Sequence, residues 1–346
     1  MNIRPATEQD RQTWDQYVLE HPEGTLFHLW AWRAVVEGTF SHQFNCLLAR
    51  KVENSGTDKI VGLLPLCRIK SSLFGHYLVA SPFAEMGGVL ADSPEVEKAL
   101  VNKAIALARE YDCDYLELKN SHPVEGLLTK DLYFNFSKEL LPEVEDNLQA
   151  IPRKSRAAVR KGIKSGLTAT FGEDQIDTFY EMMARSYHSL GTPIFPKRFF
   201  HNFLNTFDNS SDLLIVRTPE EQPIAGVLTL YFKDRIMPYY AGSLPGYRHL
   251  CPNDFMYWEL LKHGLEKGYK VFDYGRSKID TGSYSFKKHW GFEPEPLAYQ
   301  YQLIKLTELP NLSPANPKYA KKIAMWRKMP FALTKIIGPP LAKYLA

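Results

Sequence analysis

Two stretches of the chain carry the same order of apolar and polar segments. Phe44–Arg50 (FNCLLAR) reads as a short strand, a polar turn follows around Asn54–Asp58, and Lys59–Ile69 (KIVGLLPLCRI) reads as the partner strand. Leu213–Arg217, a turn at Thr218–Gln222 and the strand Pro223–Phe232 (PIAGVLTLYF) repeat this arrangement. Gly62 and Gly226 fall at matching places in the second strands, where an isolated glycine predicts a bulge or a close backbone approach. The second parts of the halves match as well. Tyr77–Pro82, a loop, a helix over Pro94–Tyr111 and a strand over Asp114–Leu118 correspond to Tyr239–Ser243, a loop, a helix over Pro252–Lys267 and a strand over Lys270–Tyr274. Phe255, Trp258, Leu261, Leu265 and Tyr269 recur at helical spacing, and Pro94 and Pro252 stand near helix starts, where a missing N–H costs least. Glu117 and Asp273 then occupy equivalent strand positions. A period of about 160 residues predicts a duplicated domain and not a solenoid. The expected class is α/β (α+β): two tandem domains, each a mixed sheet flanked by helices.

The expected boundaries are 1–145, 146–308 and a tail over 309–346. A helix from about Glu143 leads into a basic interdomain helix over 151–166, where Arg153, Lys154, Arg156, Arg160, Lys161 and Lys164 occur without an acid. Pro310, Pro314 and Pro317 mark a linker. Beyond Leu309 there are seven basic residues and no acidic ones, while the whole chain carries +3, so the body is mildly acidic, about −4. In the tail Lys, Arg and Trp alternate with Ile, Met, Phe and Leu. That composition fits either a helix packed on the body or an amphipathic segment on an anionic membrane.

The chain has 346 residues, 45% hydrophobic and 23% charged, which suits a globular protein with two cores and excludes a disordered or collagen-like chain. Met1–Glu20 lacks the apolar run of a signal peptide, and no stretch approaches a membrane span. Cys46, Cys67, Cys113 and Cys251 are scattered, so reduced thiols in a cytoplasmic protein are expected, and the histidines show no metal-ligand spacing.

Four motifs resemble the Fem-type (FemAB-like) transferases, which are built from two domains of the GNAT acetyltransferase type. They are His28–Arg33 (HLWAWR), Ser81–Gly88 (SPFAEMGG), Pro152–Gly162 (PRKSRAAVRKG) and Phe272–Phe292 (FDYGRSKIDTGSYSFKKHWGF). The resemblance covers roughly residues 10–305 and is similar in detail to the FemAB-like proteins linked to exosortase and exopolysaccharide systems of Gram-negative bacteria. It implies acyl or aminoacyl transfer to an amine or hydroxyl of a glycan or peptide acceptor. The implied donor is acyl-CoA or aminoacyl-tRNA, with no metal. Where acetyltransferases carry R-x-x-G-x-G/A to cradle the CoA pyrophosphate, this chain reads Arg248-His249-Leu250-Cys251-Pro252-Asn253. Arg248 is present, both small positions are gone, and Pro252 removes an N–H.

Acyl transfer needs donors for a developing oxyanion, a base for the nucleophile and alignment of both substrates. Asp273, at a strand end, is the candidate base or orienting group; the alternative is a buried carboxylate capping the turn at Gly275. Lys287 matches the family's phenylalanine–lysine motif, which implies a cation facing phosphate or oxyanion. Arg276, Ser277, Arg248 and Asn253 are expected to bind substrate. Tyr239 and Tyr240 bracket the donor site or belong to the core. Glu85 is the acceptor-side candidate in the first domain, whereas His28, Trp30 and Trp32 fit its core better. Arg153, Arg156 and Arg160 share one helical face that could hold tRNA phosphates or a diphosphate-linked sugar, or could simply be solvated. About twenty residues between Leu141 and Ser165 are too few for a long helical arm, which weakens the tRNA reading.

The sequence thus predicts an acyl- or aminoacyltransferase for a cell-envelope or exopolysaccharide precursor, cytoplasmic and peripheral to the inner membrane through 317–346. Two alternatives are an aminoacyl-tRNA-dependent peptidyltransferase of peptidoglycan type and a non-catalytic glycan- or membrane-binding scaffold.

Overall fold

A computed structural model describes residues 1–52, 56, 58–72, 74–310 and 317–345. The expected turn at Asn54–Asp58 and linker at Pro310–Pro317 lie largely outside these residues. The chain divides into two compact units. The first holds Met1–Tyr133 with 296–310 and 343–345, and the second holds Phe134–Glu295 with 317–342.

This division differs from the expected one at 145/146 and 308/309, for a specific reason. Ser137–Glu139 pairs antiparallel with Val271–Asp273 in the second unit, Ser137 opposite Asp273. Ala298–Leu303 pairs antiparallel with Tyr115–Asn120 in the first, Gln300 opposite Leu118. Each unit therefore takes one strand from beyond its own stretch of sequence. Periodicity identifies a strand but not its partner.

The first unit contains a four-stranded sheet in the order Asn2–Pro5, Leu47–Val52, Asp58–Leu64, Leu90–Ala91. Its six-stranded sheet runs Gln43–Phe44, Leu66–Ser71, Gly75–Ala80, Tyr115–Asn120, Ala298–Leu303, Leu128–Thr129. The segment expected as one strand, Lys59–Ile69, is split at Pro65. Proline has no ladder donor, so Asp58–Leu64 and Leu66–Ser71 enter different sheets. The helix Pro94–Glu110 packs on this unit, capped by the Ser93 hydroxyl, which accepts from the Val96 N–H.

The second unit has one six-stranded sheet in the order Ser137–Glu139, Val271–Asp273, Arg235–Ser243, Pro223–Phe232, Ser211–Arg217, Thr168–Phe171. The helices Arg153–Lys164 and Pro252–Glu266 pack together, and Pro252–Glu266 lies on the sheet through Phe255, Trp258 and Leu261. The helix Ile176–Leu190 packs on Pro223–Phe232 and Arg235–Ser243.

The two glycines mark the same event in both units. A Cβ on Gly62 would stand 2.8 Å from Val96 Cγ1 and 2.9 Å from Leu90 O. On Gly226 it would stand 2.6 Å from Met182 Cε and 2.9 Å from Leu214 O. Each strand passes directly under a helix, and each hairpin has its register shift close by, at Ala49/Arg50 and at Val216/Arg217.

The tail is a pair of helices belonging to the second unit. Pro317–Lys328 and Phe331–Ala342 pack on Ile176–Leu190. Trp326 is buried, Lys335 Nζ meets Glu181 Oε2 at 2.6 Å, and Arg327 donates to the Leu190 carbonyl at 3.0 Å. Among the described residues no helix is long and apolar enough to cross a membrane.

Candidate active site

In the second unit the strands Arg235–Ser243 and Val271–Asp273 run parallel. They share only two register pairs, Arg235 with Val271 and Ile236 with Phe272. Beyond them the first strand continues to Ser243 while the second ends at Asp273. Asp273 stands at the end of the second strand, just past the last pair of this ladder.

The Asp273 side chain is 3% exposed. Its Oδ1 accepts the Gly275 N–H at 3.0 Å, and its Oδ2 lies 3.3 Å from Nη1 of the half-exposed Arg235. Burial pushes its carboxyl up from the ordinary carboxylate range, opposed by the Arg235 charge, the Gly275 N–H and a bond from Asn135. The carboxylate thus caps the turn at Gly275, whose φ is +66°, and remains costly to ionise. The recorded cationic partner is Arg235, which sequence spacing did not single out.

Lys287 corrects a more important expectation. It was expected to face the substrate as a free cation, but it is buried inside the helix Gly282–His289, which is capped by Thr281. Its Nζ donates to the carbonyls of Tyr274, Gly275 and Arg276 at 2.7, 2.8 and 3.0 Å. An ammonium has three donors, and all three have acceptors here. Lys287 therefore holds the loop after Asp273 in one shape. Lys288 is exposed.

Arg276 is half-buried in that loop. Ser277 is 4% exposed, and its Oγ has no hydrogen-bond partner; neither does Asn135 Oδ1 on the adjoining strand. Two buried polar atoms without partners beside a buried carboxylate mark a place where a ligand or water completes the bonding. The structure thus brings Asp273, Arg276, Ser277 and Lys287 together and adds Arg235 and Asn135. Asn135 could not be found from the sequence, because its strand precedes the expected domain boundary.

Arg248 is exposed and Asn253 half-buried, at the junction of the 3-10 helix Pro245–Leu250 and the helix Pro252–Glu266. Between them Cys251 adopts φ +55°, and its N–H is committed to the Arg248 carbonyl. Asp254 sits in the first helical turn, where its Oδ1 accepts the Trp290 indole N–H at 2.9 Å. A carboxylate already occupies the positive end of this helix, and Pro252 supplies no N–H, so the site is poorly built for a pyrophosphate. Tyr240 packs among Phe195, Phe199, Phe200 and Phe203 at centroid distances of 5.4 to 6.0 Å, and Tyr239 lies 4.7 Å from it. These tyrosines form an aromatic wall on the continuing strand.

Arg153, Arg156 and Arg160 line an open groove of about 500 Å³ together with Lys161 and Lys164. Arg156 is tied to Gln149 through its backbone carbonyl and side-chain oxygen, at 2.8 and 2.7 Å. The buried Ser155 anchors the helix by donating to the His289 carbonyl at 2.8 Å.

In the first unit, the Glu85 carbonyl accepts from Tyr299 OH at 2.5 Å. Its loop is held throughout by buried donors. Lys119 Nζ reaches the Ser81 and Ala84 carbonyls, Trp32 Nε1 the Pro82 carbonyl, and His28 Nε2 lies 3.2 Å from the Gly88 carbonyl. His28 and Trp32 thus belong to the core and fix the loop, which takes positive φ at Ser81 and Phe83.

Residues 149–288 match the family model for an acetyltransferase (GNAT) domain. The crystal structure of FemX superposes with a TM-score of 0.68 at 16% identity, covering 93% of this chain and 99% of that one. The Lipid II:glycine glycyltransferase of Staphylococcus haemolyticus (strain JCSC1435) is 28% identical over 135 residues, 34% of this chain and 31% of that relative. Residues 149–288 thus form a GNAT-type domain, and the chain resembles the FemAB-like transferases. A tandem GNAT protein from the clavulanic acid biosynthesis pathway shares the fold of this chain, with a TM-score of 0.56 at 12% identity over 87% of this chain and 97% of that one. The match to the curated glycyltransferase spans about a third of that relative's length.

Proposed function

We propose that this chain transfers an aminoacyl or acyl group to an amine or hydroxyl of a cell-envelope or exopolysaccharide precursor, at the Asp273–Ser277 loop of the second unit. The observation that carries the reading is the buried Asp273 carboxylate beside the unpartnered Ser277 Oγ and Asn135 Oδ1, in a loop locked by Lys287. A carboxyl with a raised pKa is, once ionised, a stronger base than a free carboxylate, which suits a group that takes the proton from an attacking amine or hydroxyl as the new bond to the donor carbonyl forms and the donor's tRNA hydroxyl or CoA thiol leaves. Ser277 Oγ and the Arg276 side chain would orient the reacting groups, and Lys287 would keep the loop in register. The acceptor class is drawn from the glycyltransferase likeness, and a lipid-linked glycan or peptide is the partner it suggests.

The stretch Arg248–Asn253 bears on the donor. With Pro252 and Asp254 at the helix start, that stretch favours an aminoacyl donor over acyl-CoA. The basic groove along Arg153–Lys164 is chemically suited to a polyanionic donor such as charged tRNA. Mass spectrometry of a lipid-linked precursor incubated with the protein, a panel of aminoacyl-tRNAs and a panel of acyl-CoA thioesters tests the reading. An added aminoacyl mass that disappears with ribonuclease is expected; no added mass with any donor overturns it.

Contact with the inner leaflet is a second part of the reading. The tail helices expose Met325 (62%), Leu333 (43%) and Ile336 (71%) beside Lys321, Lys322 and Lys328. Apolar side chains flanked by cations suit an anionic bilayer surface. Flotation with phosphatidylglycerol vesicles is expected to recover the protein, and Leu333→Ser/Ile336→Ser to reduce recovery; equal recovery of both proteins ends this part.

A further inference from the structure

The first unit carries a second cluster of cations, on elements that the transfer site does not use. An open groove of about 360 Å³ is lined by Ser41, His42, Gln43, Arg68, Lys70 and Lys343, with Phe40 and Tyr344 as apolar walls. Among the described residues no carboxylate lines it. Among the described residues neither Arg68, Lys70 nor Lys343 makes an ion pair. Three positive charges held together without an acid repel one another, and an arrangement of that kind is relieved by an anion.

The groove is held in shape from several sides. Arg68 and Lys70 lie on the strand Leu66–Ser71, paired with Gly75–Ala80. The Arg68 guanidinium stacks on the Tyr111 ring at 4.5 Å, and its Nε donates to His76 Nε2 at 2.8 Å. This orients the remaining N–H groups of the fork without using them. His76 is kept neutral by burial and by the Arg68 and Lys70 charges, so it accepts and adds no fourth cation. The backbone that carries Lys343 is pinned twice. His42 Nε2 lies 2.7 Å from the Lys343 carbonyl, and Tyr77 OH donates to the Tyr344 carbonyl at 3.0 Å. Ser41, at φ +57°, ends the helix Trp30–Phe40 in the left-handed region and turns Ser41–Gln43 toward the groove.

We propose that this groove is a phosphoryl-anion site, with Arg68 as the planar fork and Lys70 and Lys343 as flanking point charges. Its charge and size fit a diphosphate better than a single carboxylate, and a guanidinium fork matches two phosphate oxygens. The ligand's source is either a soluble diphosphate or the phosphate headgroups of a lipid surface. The site is independent of the transfer chemistry proposed for the second unit.

Titration calorimetry of the full chain with inorganic pyrophosphate, and co-sedimentation with phosphatidylglycerol vesicles, distinguish the sources. Saturable pyrophosphate binding that weakens about tenfold or more in Arg68→Gln supports a soluble ligand. Vesicle binding alone, lost in the same variant, supports a headgroup. Lys70 is exposed, so Lys70→Glu folds normally and provides the second test through a loss of similar size. Binding that is absent from both assays, or unchanged in both variants, overturns the proposal.

Discussion

Lys287 Nζ donates to the Gly275 carbonyl at 2.8 Å, twelve residues back along the chain, and completes its bonding on the carbonyls either side. The sequence motif that resembles a substrate-facing lysine is, in this fold, the clamp on the loop that follows Asp273. Removing the clamp leaves two buried carbonyls and a part-buried one without their donor. Lys287→Met keeps the length of the side chain and should cost about 2–4 kcal/mol of stability, in line with buried groups left unpaired. Urea unfolding measures it; a midpoint at the wild-type value would show that the clamp carries no load.

The raised carboxyl of Asp273 has a sign that can be checked. The folded protein holds this proton more tightly than the unfolded chain does. Stability therefore falls as pH rises from about 4, the ordinary carboxylate value, through the raised one. Asp273→Asn cannot ionise, so its melting temperature should gain on the wild type as pH rises from about 4 to about 7. Scanning fluorimetry across that range gives the difference directly, and a gap that moves the other way would mean that Arg235 outweighs burial.

The duplicated glycines should behave alike. Gly226→Ala drives a methyl against Met182, Ile215 and the Leu214 carbonyl, and Gly62→Ala against Val96, Leu100 and the Leu90 carbonyl. The helix side chains can shift, but the carbonyls of the neighbouring strands cannot. Each change should cost about 1–3 kcal/mol, as overpacking does, read as a lowered melting temperature. A neutral effect in both would remove the close-approach explanation.

Tyr274 OH is buried and has no partner, with its ring packed against Phe272 and Phe292. Tyr274→Phe removes an unsatisfied hydroxyl and should raise stability by about 1 kcal/mol or leave it unchanged. A loss above that in thermal melting would show that the hydroxyl is bonded in solution.

Much of the fold is legible in the sequence, because alternation and helical spacing dictate it. Pro223–Phe232 forms the strand its pattern predicts, and Pro94 opens a helix that ends at Glu110. Pairing was harder to read. Nothing in Ser137–Glu139 or Ala298–Leu303 says which sheet each enters, since the alternation of a short strand suits many partners. The site shows the same limit. Asp273, Ser277 and Lys287 share one motif and come together, but Arg235 lies 38 residues from Asp273. The acceptors of Lys287 are backbone carbonyls, which every residue has and no motif displays.

In the proposed reaction, substrate completes the bonding around Ser277 in the second unit. Ser277→Ala removes a hydroxyl that has no partner in the folded chain, so its thermal midpoint should match or exceed the wild type. The rate of aminoacyl or acyl transfer to a lipid-linked precursor, measured with that variant beside the wild type, is the most direct test. A transfer rate lower by about tenfold or more, with stability retained, is expected. Transfer at the wild-type rate by the folded variant would place the chemistry elsewhere.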